Sequence, residues 1–145
     1  MRPSVVVIAV NVGMATAGSA CGADWDHDAN IESAVGELVA AYRQDGMAGI
    51  ERLVADCYGA IDGAGDRDEQ LRKLESCASM DFAAYRVDRS QAKSEGRAET
   101  AYFSAELIMA RMDRLSGFLA APAVENQVLR AWSRAAVEAL ERAGL

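Results

Sequence analysis

Alanine is the feature of this sequence that most restricts its fold. It occupies 29 of the 145 positions. It is the strongest helix former among the amino acids, but its side chain buries little apolar surface. Only two prolines interrupt the chain, and β-branched residues, which favour strands, are few after the N-terminal segment. The composition therefore predicts helices that pack closely around a thin core, and a covalent crosslink would help to hold such a core together.

Five stretches of the chain carry apolar residues at helical spacing, which indicates five amphipathic helices. The first is expected to begin after Asn30 as N-cap, and the glycines of 45–49 should break or kink the chain before the second. A glycine-rich turn at 62–66 precedes the third helix, predicted over about 68–93. The five apolar stripes are Ile31, Val35, Leu38, Val39 and Tyr42; Ile50, Leu53, Val54, Cys57 and Ile61; Leu71, Leu74, Ala78, Phe82 and Tyr85; Ile108, Met112, Leu115 and Leu119; and Val124, Val128, Trp132, Ala135, Ala139 and Leu140.

The last two helices have the clearest start signals. Ser104 fits an N-cap, and Glu106 lies in the first turn, where the helix dipole favours an acidic side chain. Pro122 fits the first position of the fifth helix, because proline has no N–H group to lose there. Residues 94–100 are polar and form the predicted connection between the two halves. We therefore expect a single all-α domain, a small bundle of about five helices.

Residues 1–23 have the features of a signal peptide. Arg2 gives a short positive start, an apolar run follows over 5–10, and small residues dominate 13–20. The apolar run is far shorter than the roughly 18 residues of a membrane-spanning helix, and Asn11 interrupts it. The segment therefore predicts export without a membrane span, to an extracytoplasmic location that is either periplasmic or secreted.

Cleavage is expected after Ala23, which leaves residues 24–145 as a single helical domain. Its first residues, 24–30, form a short acidic leader. An alternative is cleavage after Ala20, with a lipid anchor attached to Cys21. Lipoprotein signals usually place an aliphatic residue three positions before that cysteine, where this chain has glycine. The sequence therefore favours a soluble exported protein over a lipid-anchored one.

The charge of the chain is acidic. It carries 15 lysines and arginines against 22 aspartates and glutamates, a formal net charge of −7. Loss of Arg2, the only charged residue in 1–23, would make the processed chain one unit more acidic. Such a charge repels phosphate backbones and anionic lipid headgroups, which argues against nucleic acid or a membrane surface as a partner.

Three cysteines are present, and cleavage after Ala23 would remove Cys21 and leave one pair. Cys57 and Cys77 lie on consecutive predicted helices joined by a glycine-rich turn, so a disulfide between them is expected if the helices are offset by about a turn. A bridge across such a loop would stabilise the fold by about 3 kcal/mol. The alternative is two buried free thiols. Their spacing does not resemble the CxxC type of a redox-active pair.

Few residues suggest chemistry. His27 is the only histidine, and Asp24, Asp26 and Asp28 surround it, a composition that could bind a metal but fits a solvated leader better. A lone histidine in a leader also removes the usual general base. No nucleotide-binding glycine loop, HExxH or EF-hand pattern occurs. The sequence therefore predicts no catalytic residue, no metal and no cofactor. Trp25 is the aromatic residue most expected to be exposed.

Four arginines form a candidate ligand site. Arg86 and Arg89 lie on the predicted third helix, and Arg111 and Arg114 lie on the fourth. Cations that converge between helices can bind a dicarboxylate. Paired surface charges are the simpler explanation of the same pattern.

These features favour a small exported helical protein that acts through its surface, by binding an unknown protein partner or by self-association. An inhibitor of an extracytoplasmic enzyme is one form of this hypothesis. The alternative is a small exported all-α enzyme with a site of charged residues between helices. A pocket with two or more arginines or lysines facing a glutamate or glutamine would support the enzyme, and an exposed apolar patch would support the binding protein.

Overall fold

The structure is a computed structural model that describes residues 25–119 and 121–145. These residues form four α-helices, α1 (His27–Gly59), α2 (Arg67–Glu95), α3 (Ala105–Met112) and α4 (Pro122–Arg142), and two short 3-10 turns at Ala101–Phe103 and Asp113–Gly117. No strand occurs in the described part of the chain, so the all-α prediction is confirmed. The predicted signal peptide 1–23, with Cys21, lies outside the described residues.

A sharp bend divides α1 into two arms. Gly46 has φ 62° and ψ −149°, a conformation far from helical, and glycine adopts it readily because it has no Cβ atom. The predicted break therefore occurs inside one continuous element, and the helix count is four rather than five. Gly49 lies close against the first arm. A Cβ atom there would lie 2.6 Å from the carbonyl oxygen of Ala41 and 2.9 Å from the Cβ of Asp45.

Side-chain caps and a proline mark where three of the helices begin. Asp26 accepts a hydrogen bond from the Ala29 amide at 3.0 Å and caps α1. The prediction of Asn30 as this cap is wrong, because the acid four residues earlier starts the helix first. Ser104 accepts from the Leu107 amide at 3.4 Å and caps α3 as predicted. Pro122 occupies the first turn of α4, also as predicted.

Helix α2 is the centre of the bundle. Five consecutive residues, 77–81, are buried, so its middle part is covered on all sides. Helices α1 and α4 pack against it and against each other, and α3 with its 3-10 turns covers another face. The small side chains of Ala78, Ala83 and Ala84, each fully buried, allow this close approach. The alanine content thus produces tight helix packing with a core of modest volume.

A disulfide joins Cys57 on the second arm of α1 to Cys77 in the middle of α2, and their Cα atoms are 5.6 Å apart. The predicted crosslink is confirmed. Both residues are buried, with Cys77 completely inaccessible. The bridge therefore fastens the returning arm of α1 to the central helix from inside the core.

Substitution of Gly49 by alanine should destabilise the fold. The added methyl group would meet the Ala41 carbonyl, so the two arms would have to separate, at a cost of about 1 to 3 kcal/mol. Gly36→Ala is the matched control, because nothing lies within 4 Å of the added group and alanine favours helix by up to about 1 kcal/mol. Urea denaturation of both variants measures the difference. Equal stability of the two variants would contradict the close packing at the bend.

Reduction of the disulfide should lower the free energy of unfolding by about 2 to 4 kcal/mol, because the open chain gains conformational entropy. Denaturation of the protein with and without reductant measures this loss. A Cys57→Ala/Cys77→Ala double variant should show no response to reductant. Titration of two free thiols in protein purified under oxidising conditions would refute the bridge.

Candidate functional site

Three acidic side chains of α2 are buried: Glu75 and Asp81 are 0% exposed, and Asp88 is 2% exposed. Burial of a carboxylate is unfavourable unless hydrogen bonds or a cation compensate it. Each of the three receives these contacts from a different part of the chain. Together they attach the peripheral segments of the molecule to its central helix.

Glu75 attaches the N-terminal residues of the described chain. It accepts hydrogen bonds from Trp25 Nε1 at 2.7 Å and Asn30 Nδ2 at 2.7 Å, and it contacts His27 Nδ1 at 2.5 Å. The Trp25 and His27 rings lie 4.9 Å apart. Residues 25–30 are therefore folded onto α2, and Trp25 is half-buried against the core. The prediction of an exposed Trp25 and a solvated His27 is wrong. Both side chains contact Glu75, which lies some fifty positions away and could not be identified as their partner from the local sequence.

Asp81 attaches α3. Arg111 donates from Nε at 2.9 Å and from Nη2 at 2.6 Å, and it also donates to the Tyr102 carbonyl at 3.0 Å. Its guanidinium lies 4.2 Å from the centre of the Tyr102 ring, a favourable cation–π distance. Burial raises the pKa of the Asp81 carboxyl, although the hydrogen bonds from Arg111 favour its charged form. The arginine therefore compensates a carboxylate whose charge the core disfavours.

Two hydroxyl groups are buried in the core. That of Ser79 forms no hydrogen bond within the described part of the molecule, and that of Tyr58 lies near the Asp81 carboxylate. Burial raises the pKa of Tyr58 far above its ordinary value, and the negative charge of Asp81 raises it further. Both effects favour the protonated form of the Tyr58 hydroxyl.

Asp88 fixes the connection between α2 and α3. It accepts from Arg97 Nη2 at 2.9 Å, from the Thr100 amide at 2.6 Å and from Thr100 Oγ1 at 2.8 Å. Burial alone would raise the pKa of Asp88, but the contacts from Thr100 and Arg97 outweigh it and lower the pKa below its ordinary value. The polar connection is thus held on the surface of the bundle by one carboxylate.

The four predicted arginines occupy different surroundings. Arg111 is committed to the buried pair with Asp81. Arg114 lies in the 3-10 turn after α3, half-exposed, with Nη1 3.4 Å from Asp62 Oδ1 and 3.5 Å from the Tyr58 carbonyl oxygen. The contacts of both arginines are therefore to the protein itself.

The other two predicted arginines lie on the exposed side of α2. Arg89 donates to the Tyr85 hydroxyl at 2.6 Å and lies 3.8 Å from Glu99. Arg86 lines a groove of about 340 Å³ between α1, α2 and α4, whose floor includes Leu140. Within residues 25–119 and 121–145, no hydrogen bond or ion pair joins these two arginines to a residue that Arg111 or Arg114 also contacts. A ligand at the four arginines stays a prediction.

A second groove, which we call the α1–α2 groove, was not foreseen from the sequence. It has a volume of about 310 Å³. Two cations of α2, Arg72 and Lys73, line it together with the acids Glu37 of α1 and Glu69 of α2. The remaining lining residues are Asn30, Ser33, Ala34, Ala64, Ser76 and Met80. None of these four charged residues was singled out from the sequence, because their convergence depends on the packing of the first arm of α1 beside α2.

The outer face of α3, which we call the α3 face, exposes large apolar side chains. Leu107 is 44% exposed and Met109 is 46% exposed; with Leu145, they are the exposed large hydrophobic residues of the described chain. Ile108 and Met112 on the opposite side of this short helix are buried. Because residues two positions apart in an α-helix point in nearly opposite directions, Leu107 and Met109 lie on opposite flanks of the solvent side of α3.

Comparison with known proteins does not assign a function to these residues. No family model matches the chain, and no curated protein or solved structure matches it. Within the described residues, no group of three or more histidine, cysteine, aspartate or glutamate side chains is placed to hold a metal ion. In the same part of the chain, no helix is both long and apolar enough to cross a membrane.

Removal of the Arg111 charge should be strongly destabilising. Arg111→Met would leave Asp81 buried without its partner, at an expected cost of about 3 to 5 kcal/mol. The Asp81→Leu/Arg111→Met double variant should cost clearly less than Arg111→Met alone, because the buried charge is gone. Urea denaturation of the wild type, of Asp81→Leu and Arg111→Met alone, and of the double variant completes the comparison. A double variant as unstable as the sum of its single substitutions would show that the pair is not coupled.

The contribution of Asp88 to the free energy of unfolding should depend on pH. Because its pKa is lowered in the folded state, it stabilises the protein above about pH 4, the ordinary value of an aspartate, and this stabilisation is lost as the pH falls through the folded-state pKa. The difference in unfolding free energy between the wild type and Asp88→Asn should therefore be largest near neutral pH and shrink below about pH 4. Denaturation curves across this range measure it. A difference that is constant with pH would contradict the proposed ion pair.

Proposed function

We propose that this chain is a small exported helical protein that acts by binding a protein partner through its surface. Export to the periplasm or the medium rests on the signal-like segment 1–23. Inhibition of an extracytoplasmic enzyme is one form of this function, since an inhibitor needs a rigid surface and no chemistry of its own. The partner is a different protein or a second copy of this chain.

The observation that carries the proposal is the α3 face. Leu107 and Met109 remain exposed on a helix whose other side is buried. Apolar side chains that a rigid scaffold holds exposed can serve as anchors of a protein interface. Glu106, in the first turn between the two flanks, would contribute a charged contact to such an interface.

The internal contacts support a rigid surface. The disulfide fixes α1 to α2, the Arg111–Asp81 pair holds α3, and Asp88 holds the connection that leads into α3. A surface that is already ordered loses little conformational entropy when it binds. The scaffold is therefore suited to present the α3 face to a partner.

A second candidate is the small all-α enzyme with a charged site between helices. The α1–α2 groove favours it, because Arg72 and Lys73 line the groove together with Glu37 and Glu69. A groove between helices that is lined by two cations and two glutamates is the kind of pocket that favours an enzyme over a binding protein. The groove supplies charge but contains no histidine or cysteine as base or nucleophile.

The α3 face can be tested by affinity capture from the extracytoplasmic fraction of the source cells, with immobilised oxidised protein. Leu107→Glu/Met109→Glu should lose the captured partner, because charge replaces the apolar anchors. Asn126→Glu/Gln127→Glu, at exposed positions of α4, adds the same charge elsewhere and should retain it. Size-exclusion chromatography of the same three proteins tests self-association.

Two results would overturn the proposal. Equal capture by the wild type and both variants would show that the α3 face is not the binding surface. Recovery of the chain only as an unprocessed cytoplasmic protein, measured by intact mass, would remove the basis for an exported function.

A further inference from the structure

The α1–α2 groove is preformed by contacts that do not involve a ligand. At one end, the Asn30 side chain donates to Glu75 at 2.7 Å and to the Arg72 carbonyl at 3.1 Å, and it accepts from Ser76 Oγ at 3.1 Å. These bonds fix the end wall between the two helices. The groove therefore needs no rearrangement to receive a small molecule.

The cations of the groove are available to a ligand. Arg72 and Lys73 lie on α2, and neither takes part in an ion pair within the described residues. A guanidinium and an ammonium that line the same groove can both donate charge-assisted hydrogen bonds to a carboxylate. The two cations are therefore suited to bind an anionic group.

The two acids of the groove favour a ligand that also carries a positive charge. Glu69 is steadied by a hydrogen bond from the Gly65 amide at 3.2 Å, and Glu37 reaches the same groove from α1. A plain anion such as phosphate would be repelled by these carboxylates. A ligand that also carries an ammonium group would instead be attracted to them.

The size of the groove limits the chemical class of ligand that it can hold. The volume of about 310 Å³ lies at the lower end of small-molecule sites. The floor offers a small apolar area from Ala34 and Met80, both 3% exposed. A free α-amino acid is a small molecule that carries a carboxylate and an ammonium group on one carbon together with a side chain.

We propose that the α1–α2 groove binds a free α-amino acid. Arg72 and Lys73 hold its carboxylate, Glu37 and Glu69 hold its ammonium group, and its side chain lies toward Ala34 and Met80. The groove shares no residue with the α3 face, so this site can fail or succeed independently of the protein-binding function proposed above.

The test is a titration of the oxidised protein with L-serine, L-leucine, L-aspartate and L-lysine, followed by NMR shifts of backbone amides. At least one of these should shift amides of the groove residues in a saturable way. The N-acetyl and carboxamide derivatives of the same amino acids each lack one charge. Each should bind at least about tenfold more weakly, the loss expected when a charge-assisted contact is removed.

Matched variants assign the two halves of the site. Arg72→Gln/Lys73→Gln should weaken binding of the amino acid by at least about tenfold, and so should Glu37→Gln/Glu69→Gln. Arg130→Gln and Glu138→Gln change exposed charges on α4 and should leave binding unchanged. The far-UV spectrum of each variant confirms that the helices remain.

Three results would overturn the proposal. The first is no saturable shift with any of the four amino acids. The second is equal binding of the charged and the capped forms, which would show an apolar contact and no zwitterion site. The third is tighter binding of inorganic phosphate than of any amino acid, with no effect of Glu37→Gln/Glu69→Gln, which would show a simple anion site.

Discussion

The buried acids of α2 are the constraint on which the rest of this structure depends. A helix covered on all sides would ordinarily carry only apolar residues at its centre. This one carries three carboxylates, and each must be compensated or the fold loses several kcal/mol. The compensating groups come from the N-terminal residues, from α3 and from the connection before it. Residues 25–30 and 94–100 have few apolar residues of their own, so polar contacts decide where they lie, whereas α3 is also held by the buried side chains of Ile108 and Met112.

The same contacts explain how an alanine-rich chain can keep a defined surface. Alanine allows helices to approach closely but contributes little apolar area per residue. The disulfide acts on the unfolded chain, because it restricts the conformations that the unfolded chain can adopt. The carboxylate contacts act on the folded state and select one arrangement of the surface segments. The small core, the disulfide and the carboxylate contacts therefore together fix the positions of both grooves and of the α3 face.

The sequence predicted the all-α fold, the Ser104 cap, the proline start of α4 and the disulfide, because these depend on local pattern and on the pairing of two cysteines. It did not predict the roles of Glu75, Asp81 and Asp88. These acids lie among many others, and only the packing of distant helices shows which of them are buried. Asn30 illustrates the difference: it has the chemistry of a cap, but Asp26 caps the helix, and the amide of Asn30 binds the central helix instead. The convergence of Arg72 and Lys73 with Glu37 could not be predicted for the same reason.

The bend in α1 makes this part of the chain intolerant of a change in length. It is made by Gly46 and the close contact of Gly49, with no loop between the two arms. Each residue added to a helix turns everything after it by about 100°. One residue inserted between Gly49 and Cys57 would therefore rotate the cysteine away from Cys77, and one deleted would rotate it the other way. Homologous chains that keep this disulfide should vary in length at the 60–66 turn or beyond α2, while the number of residues between the bend and Cys57 stays constant.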